Sequence, residues 1–326
     1  MAPAGNDSNN SLVSVIVPCH NESAVLPEFH SRLLAVMESI NSDFEIIYIN
    51  DGSDDSTLQV IRGLNDSTPG LGIIDLSRNF GKEAAMSAGI DHASGDAVVV
   101  IDADLQDPPE QIAQLVDRWL DGYDVVYATR DSRDGETSAK RWTAHAFYRL
   151  MSRIGEVPIP ADTGDFRLLS RRAVDALRQL PETQRFMKGL FTWIGFSQTS
   201  IHFRREERQA GTTSWNYWKL WTHAIEGITS FSIAPLRLAV YIGLIVSISA
   251  LVYGGGVIVD TLIYGNDVKG YPSLMVAILM LGGVQLITVG ILGEYLGRSF
   301  MENKRRPLYF INHFQPPEQH PAPPAD

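Results

Sequence analysis

Five short apolar runs in the first 130 residues limit what this chain can fold into more than any other feature. Ser14–Pro18 (SVIVP), Phe44–Ile49 (FEIIYI), Leu71–Leu76 (LGIIDL), Ala97–Ile101 (AVVVI) and Asp124–Ala128 (DVVYA) are rich in β-branched residues and nearly continuous. A half-buried strand alternates apolar and polar residues, whereas continuous runs suit strands covered on both faces, as in a parallel sheet. Segments with helical spacing lie between them, at Ala24–Ile40, Ser56–Leu64, Lys82–Ala93 and Pro109–Leu120. Strand alternating with helix predicts βαβ units and a doubly wound α/β sheet. Such sheets bind ligands beyond the carboxyl ends of their strands. Polar clusters stand at those ends: His20-Asn21-Glu22, Asn50-Asp51-Gly52-Ser53 and Asp102-Ala103-Asp104.

Beyond Arg130 the pattern is mixed, with a basic helix expected at Ala139–Ile154, helices at Arg171–Leu180 and Gln184–Trp193, and a strand at Gln198–Arg204. From Ile233 the required solvent changes. Ala234–Val259 holds one charge, Arg237, and Ser273–Leu292 holds none, so each is long enough to cross a bilayer as a helix. The connection carries only Lys269 as a cation, while Arg298, Lys304, Arg305 and Arg306 follow the second span. The positive-inside rule then puts both ends of the hairpin in the cytoplasm. Trp215, Trp218 and Trp221 precede the first span and suit a helix lying in the headgroup region. The domain organisation expected is a flexible N-terminus (1–11), a cytoplasmic catalytic domain (12–212), an interfacial helix (213–232), two spans within 233–298 (about 234–259 and 273–296) and a cytoplasmic tail (299–326).

Charge and cysteine content narrow the class. Residues 1–129 carry 21 acidic and 5 basic side chains, which argues against nucleic acid as a partner. Residues 130–240 carry 17 basic and 11 acidic ones, and this excess precedes the most apolar segment, where anionic lipid headgroups would attract it. Cys19 stands alone, so no intrachain disulfide can form, and the polar start of the chain has no apolar signal core. A chain that begins in the cytoplasm is expected.

Two clusters bear chemistry. Asp102 and Asp104 end an apolar run, with Gln106 and Asp107 following, and these oxygens suit a hard divalent cation shared with substrate phosphates. Asp51, at the end of another run, suits a contact to a base or ribose, with Gly52 permitting a tight turn. Neither GxGxxG nor GxxxxGK[ST] occurs at the first turn, so a dinucleotide enzyme and a P-loop enzyme are unsupported.

Pro18-Cys19-His20-Asn21-Glu22, Asn50-Asp51-Gly52-Ser53, Asp102-Ala103-Asp104-Leu105-Gln106-Asp107-Pro108-Pro109 and Gly164-Asp165-Phe166-Arg167 stand in the order and spacing of family 2 glycosyltransferases with a GT-A fold. With Arg208-Gln209-Ala210-Gly211, Trp215–Leu220 and the two-span end, the chain resembles the polyprenyl-phosphate glycosyltransferases of that family over about residues 12–312. The resemblance implies an inverting transfer of a sugar, glucose from UDP-glucose first among the donors, to a polyprenyl phosphate such as undecaprenyl phosphate. GDP-mannose and other UDP-sugars are the alternatives. It implies Mg²⁺ or Mn²⁺, the bacterial inner membrane and a homo-oligomer, a tetramer among relatives. Pro18, Asn21, Glu22 and Asp51 would hold the nucleoside, with Lys82 near the nucleotide. Asp102, Asp104 and Gln106 would place the metal, and Asp165 matches the acidic residue at the reacting centre. Arg130, Arg141 and Arg208 are candidates for the acceptor phosphate. Asn50 stands where many relatives have Asp, and Ser214 where they often have Lys. Two spans without a QxxRW-like element argue against a processive polysaccharide synthase. The Asp102/Asp104 pair, Asp165 and the arginines argue against a non-catalytic nucleotide-sensing scaffold.

Overall fold

In the computed structural model, residues 11–40, 42–130, 163–183, 185–203, 234–264 and 270–317 are described. The helix expected at Ala139–Ile154, the interfacial helix expected at 213–232, and Arg141, Arg208 and Ser214 lie outside them. The five runs form strands β1 (Leu12–Cys19), β2 (Asp43–Asn50), β3 (Leu71–Leu76), β4 (Ala97–Val100) and β5 (Val125–Arg130). Helices α1 (Leu26–Ser39), α2 (Thr57–Asn65), α3 (Lys82–His92) and α4 (Ile112–Leu120, entered through a 3₁₀ turn at Pro109–Gln111) connect them. Then come β6 (Thr163–Ser170), α5 (Arg171–Arg178), α6 (Met187–Trp193), β7 (Gln198–Phe203), the long helices α7 (Ala234–Tyr264) and α8 (Tyr271–Asn303), and β8 (Ile311–Gln315).

All eight strands share one sheet, in the order β7-β5-β6-β4-β1-β2-β3-β8. β4, β1, β2 and β3 are parallel neighbours, while β6 runs antiparallel between β4 and β5, and β8 runs antiparallel against β3. Successive side chains of β1 take opposite faces, as strand geometry requires. Val13, Val15 and Val17 pack with Phe29 and Leu33 of α1 and Leu115 and Trp119 of α4. Ile16 packs on the other face with Ala85 and Ala88 of α3 and Leu177 of α5. This two-sided burial explains why the runs are continuous rather than alternating. Gly89 lets α3 lie close to the sheet, since a Cβ there would come within 2.9 Å of Ile49 and 3.0 Å of Ile16. That approach seats the N-terminal end of α3, and with it Lys82, above the ends of the parallel strands.

β6 and β8 were not foreseen. Thr163–Ser170 opens on polar residues, and its strand conformation comes from β4 and β5 pairing on either side of it. Ile311–Gln315 is a short edge strand that completes the sheet after α8. The two long helices contact one another, and their apolar windows, Leu238–Gly256 and Met280–Asn303, have mean hydropathies of 2.0 and 1.3 with none of either buried. Exposed apolar surface on this scale has no counterpart in an ordinary soluble domain, and both helices are candidate membrane spans. The last turn of α8 and the segment after it are tied back to the domain: Glu302 accepts from the Thr183 amide at 3.0 Å, and the Tyr309 hydroxyl donates to Asp91 at 2.8 Å.

One close approach fixes the site's loops. Gly52 has φ +57°, and a Cβ there would fall 2.3 Å from the backbone of Arg78 and Asn79. Gly52→Ala therefore has to push the β2–α2 and β3–α3 loops apart, at a cost of about 2–3 kcal/mol. A fall of several degrees in Tm of the detergent-solubilised protein is expected, and an unchanged Tm would show that the two loops are not in contact.

Candidate active site

The antiparallel insertion of β6 builds the centre of the site. Val100, the last residue of β4, pairs with Arg167 of β6. Two residues beyond Val100 is Asp102, and two residues before Arg167 is Asp165, so the two carboxylates emerge side by side at the end of the sheet. Lys82, first residue of α3, reaches between them: its Nζ donates to Asp102 Oδ2 at 2.6 Å and to Asp165 Oδ2 at 2.5 Å. Three elements that are remote in sequence thus meet at one ammonium.

The electrostatics follow from burial and this bridge. Burial pushes Asp102 up, reinforced by Asp165 and Asp104 and opposed by Lys82. Burial also pushes Asp165 up, but Lys82 and Lys188 outweigh it and hold that carboxyl below the usual range. The shared ammonium thus leaves the two carboxyls on opposite sides of the usual range, Asp102 above it and Asp165 below. Lys82 is raised: burial works against its charge, and the two carboxylates prevail. Arg167 is buried beneath them, donating through Nη2 to the Gly164 carbonyl at 2.7 Å and lying 3.9 Å over the Phe191 ring. Burial lowers it to about 10, which leaves it a fixed cation at neutral pH.

The turn that carries the acidic pair is strained. Leu105 has φ +60°, a region that a non-glycine residue enters at about 1–2 kcal/mol. Its fully buried side chain holds it there. Asp104 Oδ1 accepts from the Gln106 amide at 3.1 Å, which closes the turn. Among the described residues, no three acidic, histidine or cysteine side chains converge into a metal cage. The donor set nevertheless fits a hard cation that takes its remaining ligands from substrate phosphates. Asp102, Asp104 and Gln106 offer oxygen, and Asp165 Oδ1 is buried with no hydrogen bond to the described residues.

A second cluster lies over the ends of β1, β2 and β3. Asn21, at φ +58°, accepts through Oδ1 from the Asp54 amide at 2.9 Å, and its own amide donates to Ser53 Oγ at 3.1 Å. The Glu22 amide donates to Thr57 Oγ1 at 2.9 Å. Asp51 accepts from the amides of Phe80 and Gly81 at 2.7 and 3.0 Å, one on each carboxylate oxygen. It thereby anchors the turn that leads into Lys82. Asn50 donates to the buried Asp75 at 2.7 Å and accepts from the Ser53 amide at 3.3 Å. A neighbouring carboxylate explains why an amide stands at this position. Pro18 sits in β1 opposite Ile49.

The structure thus gathers Asp102, Asp104, Gln106, Lys82 and Asp165 into one centre, with Asn21, Glu22 and Asp51 in the adjoining loops. Arg130 ends β5. Sequence reasoning gave no role to Arg167, Glu83, Asp75 or Leu105. Asp75 carried a readable signal, a lone charge within the run LGIIDL.

Residues 14–178 match the family described as Glycosyl transferase family 2, and residues 234–299 match the GtrB C-terminal hairpin. The chain is 54% identical to the uncharacterized glycosyltransferase sll0501 of Synechocystis over 92% of this chain and 94% of that one. It is 47% identical to the prophage bactoprenol glucosyl transferase homolog of Escherichia coli K12, over 92% and 98% of the two chains. The bactoprenol glucosyl transferase of Shigella phage SfV is 48% identical over 92% and 97%.

Glu83, beside Lys82, accepts from the Met187 amide at 3.2 Å. Burial, with Asp165 nearby, pushes it up to about 7 from an ordinary 4.5. The folded protein therefore holds a proton that the unfolded chain loses above 4.5. The associated stability is present below that pH and is lost as pH rises through about 7. Glu83→Gln should flatten the fall in Tm across that interval, measured by thermal unfolding in detergent. An identical pH dependence in the variant would show that Glu83 titrates normally.

Proposed function

Because the chain belongs to glycosyltransferase family 2, we propose that it transfers glucose, with inversion, from UDP-glucose to the phosphate of a membrane-borne polyprenyl carrier. The observation that carries the reading is the convergence of Asp102 and Asp165, from different strands, on Lys82 at the carboxyl end of the parallel strands. Relatives that share nearly half of the residues over nine-tenths of the chain are named bactoprenol glucosyl transferases, which supports both the sugar and the class of acceptor.

In this reading a phosphate oxygen of the acceptor forms a bond to the anomeric carbon as the bond from that carbon to the UDP oxygen breaks. The acceptor phosphate is already anionic, so the step needs no strong base. Asp165, ionised beside Lys82, would orient the acceptor or stabilise positive charge on the sugar ring. Pro18, Asn21, Glu22 and Asp51 would form the wall for the nucleoside, and Lys82 would face the donor. A divalent cation, Mg²⁺ or Mn²⁺, held by Asp102, Asp104 and Gln106 would supply neutralising charge for the departing diphosphate. Arg130, Arg141 and Arg208 are assigned to the acceptor phosphate, which cations near the bilayer suit.

The exposed apolar windows of α7 and α8 support a hairpin in the bacterial inner membrane. The cations after α8 support cytoplasmic placement of the catalytic domain and both termini. We further infer a homo-oligomeric assembly. Purified protein incubated with polyprenyl phosphate, Mg²⁺ or Mn²⁺ and a panel of UDP- and GDP-sugars should give lipid-linked product from UDP-glucose. Asp104→Ala should lower the rate by about a hundredfold or more. Product from another donor alone would replace the sugar, and no product despite nucleotide binding would return the chain to a sensing or scaffolding role.

A further inference from the structure

Asp75 is a buried carboxylate, 5% exposed, near the carboxyl end of the apolar strand β3. Two side-chain amides among the described residues donate to it. Asn50 Nδ2 of β2 donates to Oδ1 at 2.7 Å, and Asn312 Nδ2 of β8 donates to Oδ2 at 2.8 Å. A buried carboxylate stays satisfied only while such donors face it. This dictates which way the Asn50 amide points. With Nδ2 turned to Asp75, Oδ1 faces the Ser53 amide and holds the turn containing Asp51. Asp51 in turn holds the amides of Phe80 and Gly81, immediately before Lys82. The strand that brings Asn312 touches the same loop elsewhere: the Phe310 carbonyl accepts from the Ser77 amide at 2.9 Å, and its ring lies 6.2 Å from that of Phe80.

We propose that Asp75, clamped between Asn50 and Asn312, is a positioning residue for the donor site, tying the strand that follows the helical hairpin to the loop carrying Lys82. It touches no reacting atom. It acts by fixing Asn50, and through Asn50 the Asp51 turn, so that the nucleotide wall is set before the donor arrives. This inference rests on the transferase reading above. The segment after the hairpin is then part of the active-site architecture and not a trailing end.

The hydrogen-bond polarity makes the proposal testable by exchange. Asn50→Asp sets two carboxylates against each other and should raise the KM for UDP-glucose about tenfold while kcat changes little. Asp75→Asn keeps the bond from Asn50, loses only the one from Asn312, and should be milder. The double variant Asn50→Asp/Asp75→Asn can form all three bonds again, with donor and acceptor exchanged only between positions 50 and 75, while Asn312 and the Ser53 amide still donate; its KM should return to within about threefold of the parent value. Asn312→Ala, at the exposed sheet edge, should raise KM about two- to threefold with Tm nearly unchanged, which keeps the test alive if Asn50→Asp does not fold. UDP affinity, measured by calorimetry on the full-length protein, should follow the same order. Lowered Tm values with parental KM and UDP affinity would overturn the proposal in favour of a purely structural clamp, as would a double variant no better than Asn50→Asp. Failure of the parent protein itself to bind UDP or to transfer glucose would instead overturn the transferase reading, and this inference with it.

Discussion

The ammonium of Lys82 between Asp102 and Asp165 is the interaction on which the site depends. Two carboxylates brought together at a buried strand end repel one another and lose hydration, and both effects favour protonation. A cation at 2.5–2.6 Å from each reverses that balance for Asp165. Much of the local fold serves to place this one side chain. The small face of α3 brings the helix down on the sheet, Asp51 pins the two amides before it, and Gly52 lets the neighbouring loop lie against the approach. Arg167 supplies a second, immovable cation behind Asp165.

This arrangement explains how a doubly wound sheet acquires an acidic centre that can stay charged. The parallel strands deliver polar loops to one edge, as their topology requires. They cannot by themselves put Asp165 beside Asp102, because a parallel strand would present its own carboxyl end there. An antiparallel strand presents its beginning instead, so Gly164 and Asp165 arrive where β4 finishes. The reversal of β6 is therefore a functional feature of the sheet, and the strained turn at Leu105 completes the same edge from the other side.

The five strands of the first half were legible because burial on both faces leaves a strong, local trace in each run. The acidic turn after β4 was legible for the same reason, since it ends such a run. β6 left no such trace: its chemistry-bearing start is polar, and its conformation is imposed by neighbours distant in sequence. β8 is short and carries Asn312 and His313 at its centre, and an edge strand paired on one side needs little apolar content. The Lys82 bridge spans 20 residues to Asp102 and 83 to Asp165, separations at which no periodicity speaks. Sequence placed Lys82 near the nucleotide without its partners. It read Asp51 as a nucleoside contact without seeing the loop that both its oxygens hold. Asn50 stood out in the sequence only as an amide where many relatives have Asp, whereas the buried carboxylate of Asp75 beside it requires a donor.

The pH–rate profile of Lys82→Met tests the central claim most directly. If the ammonium is what keeps Asp165 ionised beside Asp102, its removal favours protonation there, and the acid limb of kcat should move to higher pH by about one unit or more. An acid limb at the same pH as in the parent enzyme would contradict the account, because Asp165 would then owe its ionisation to something other than Lys82.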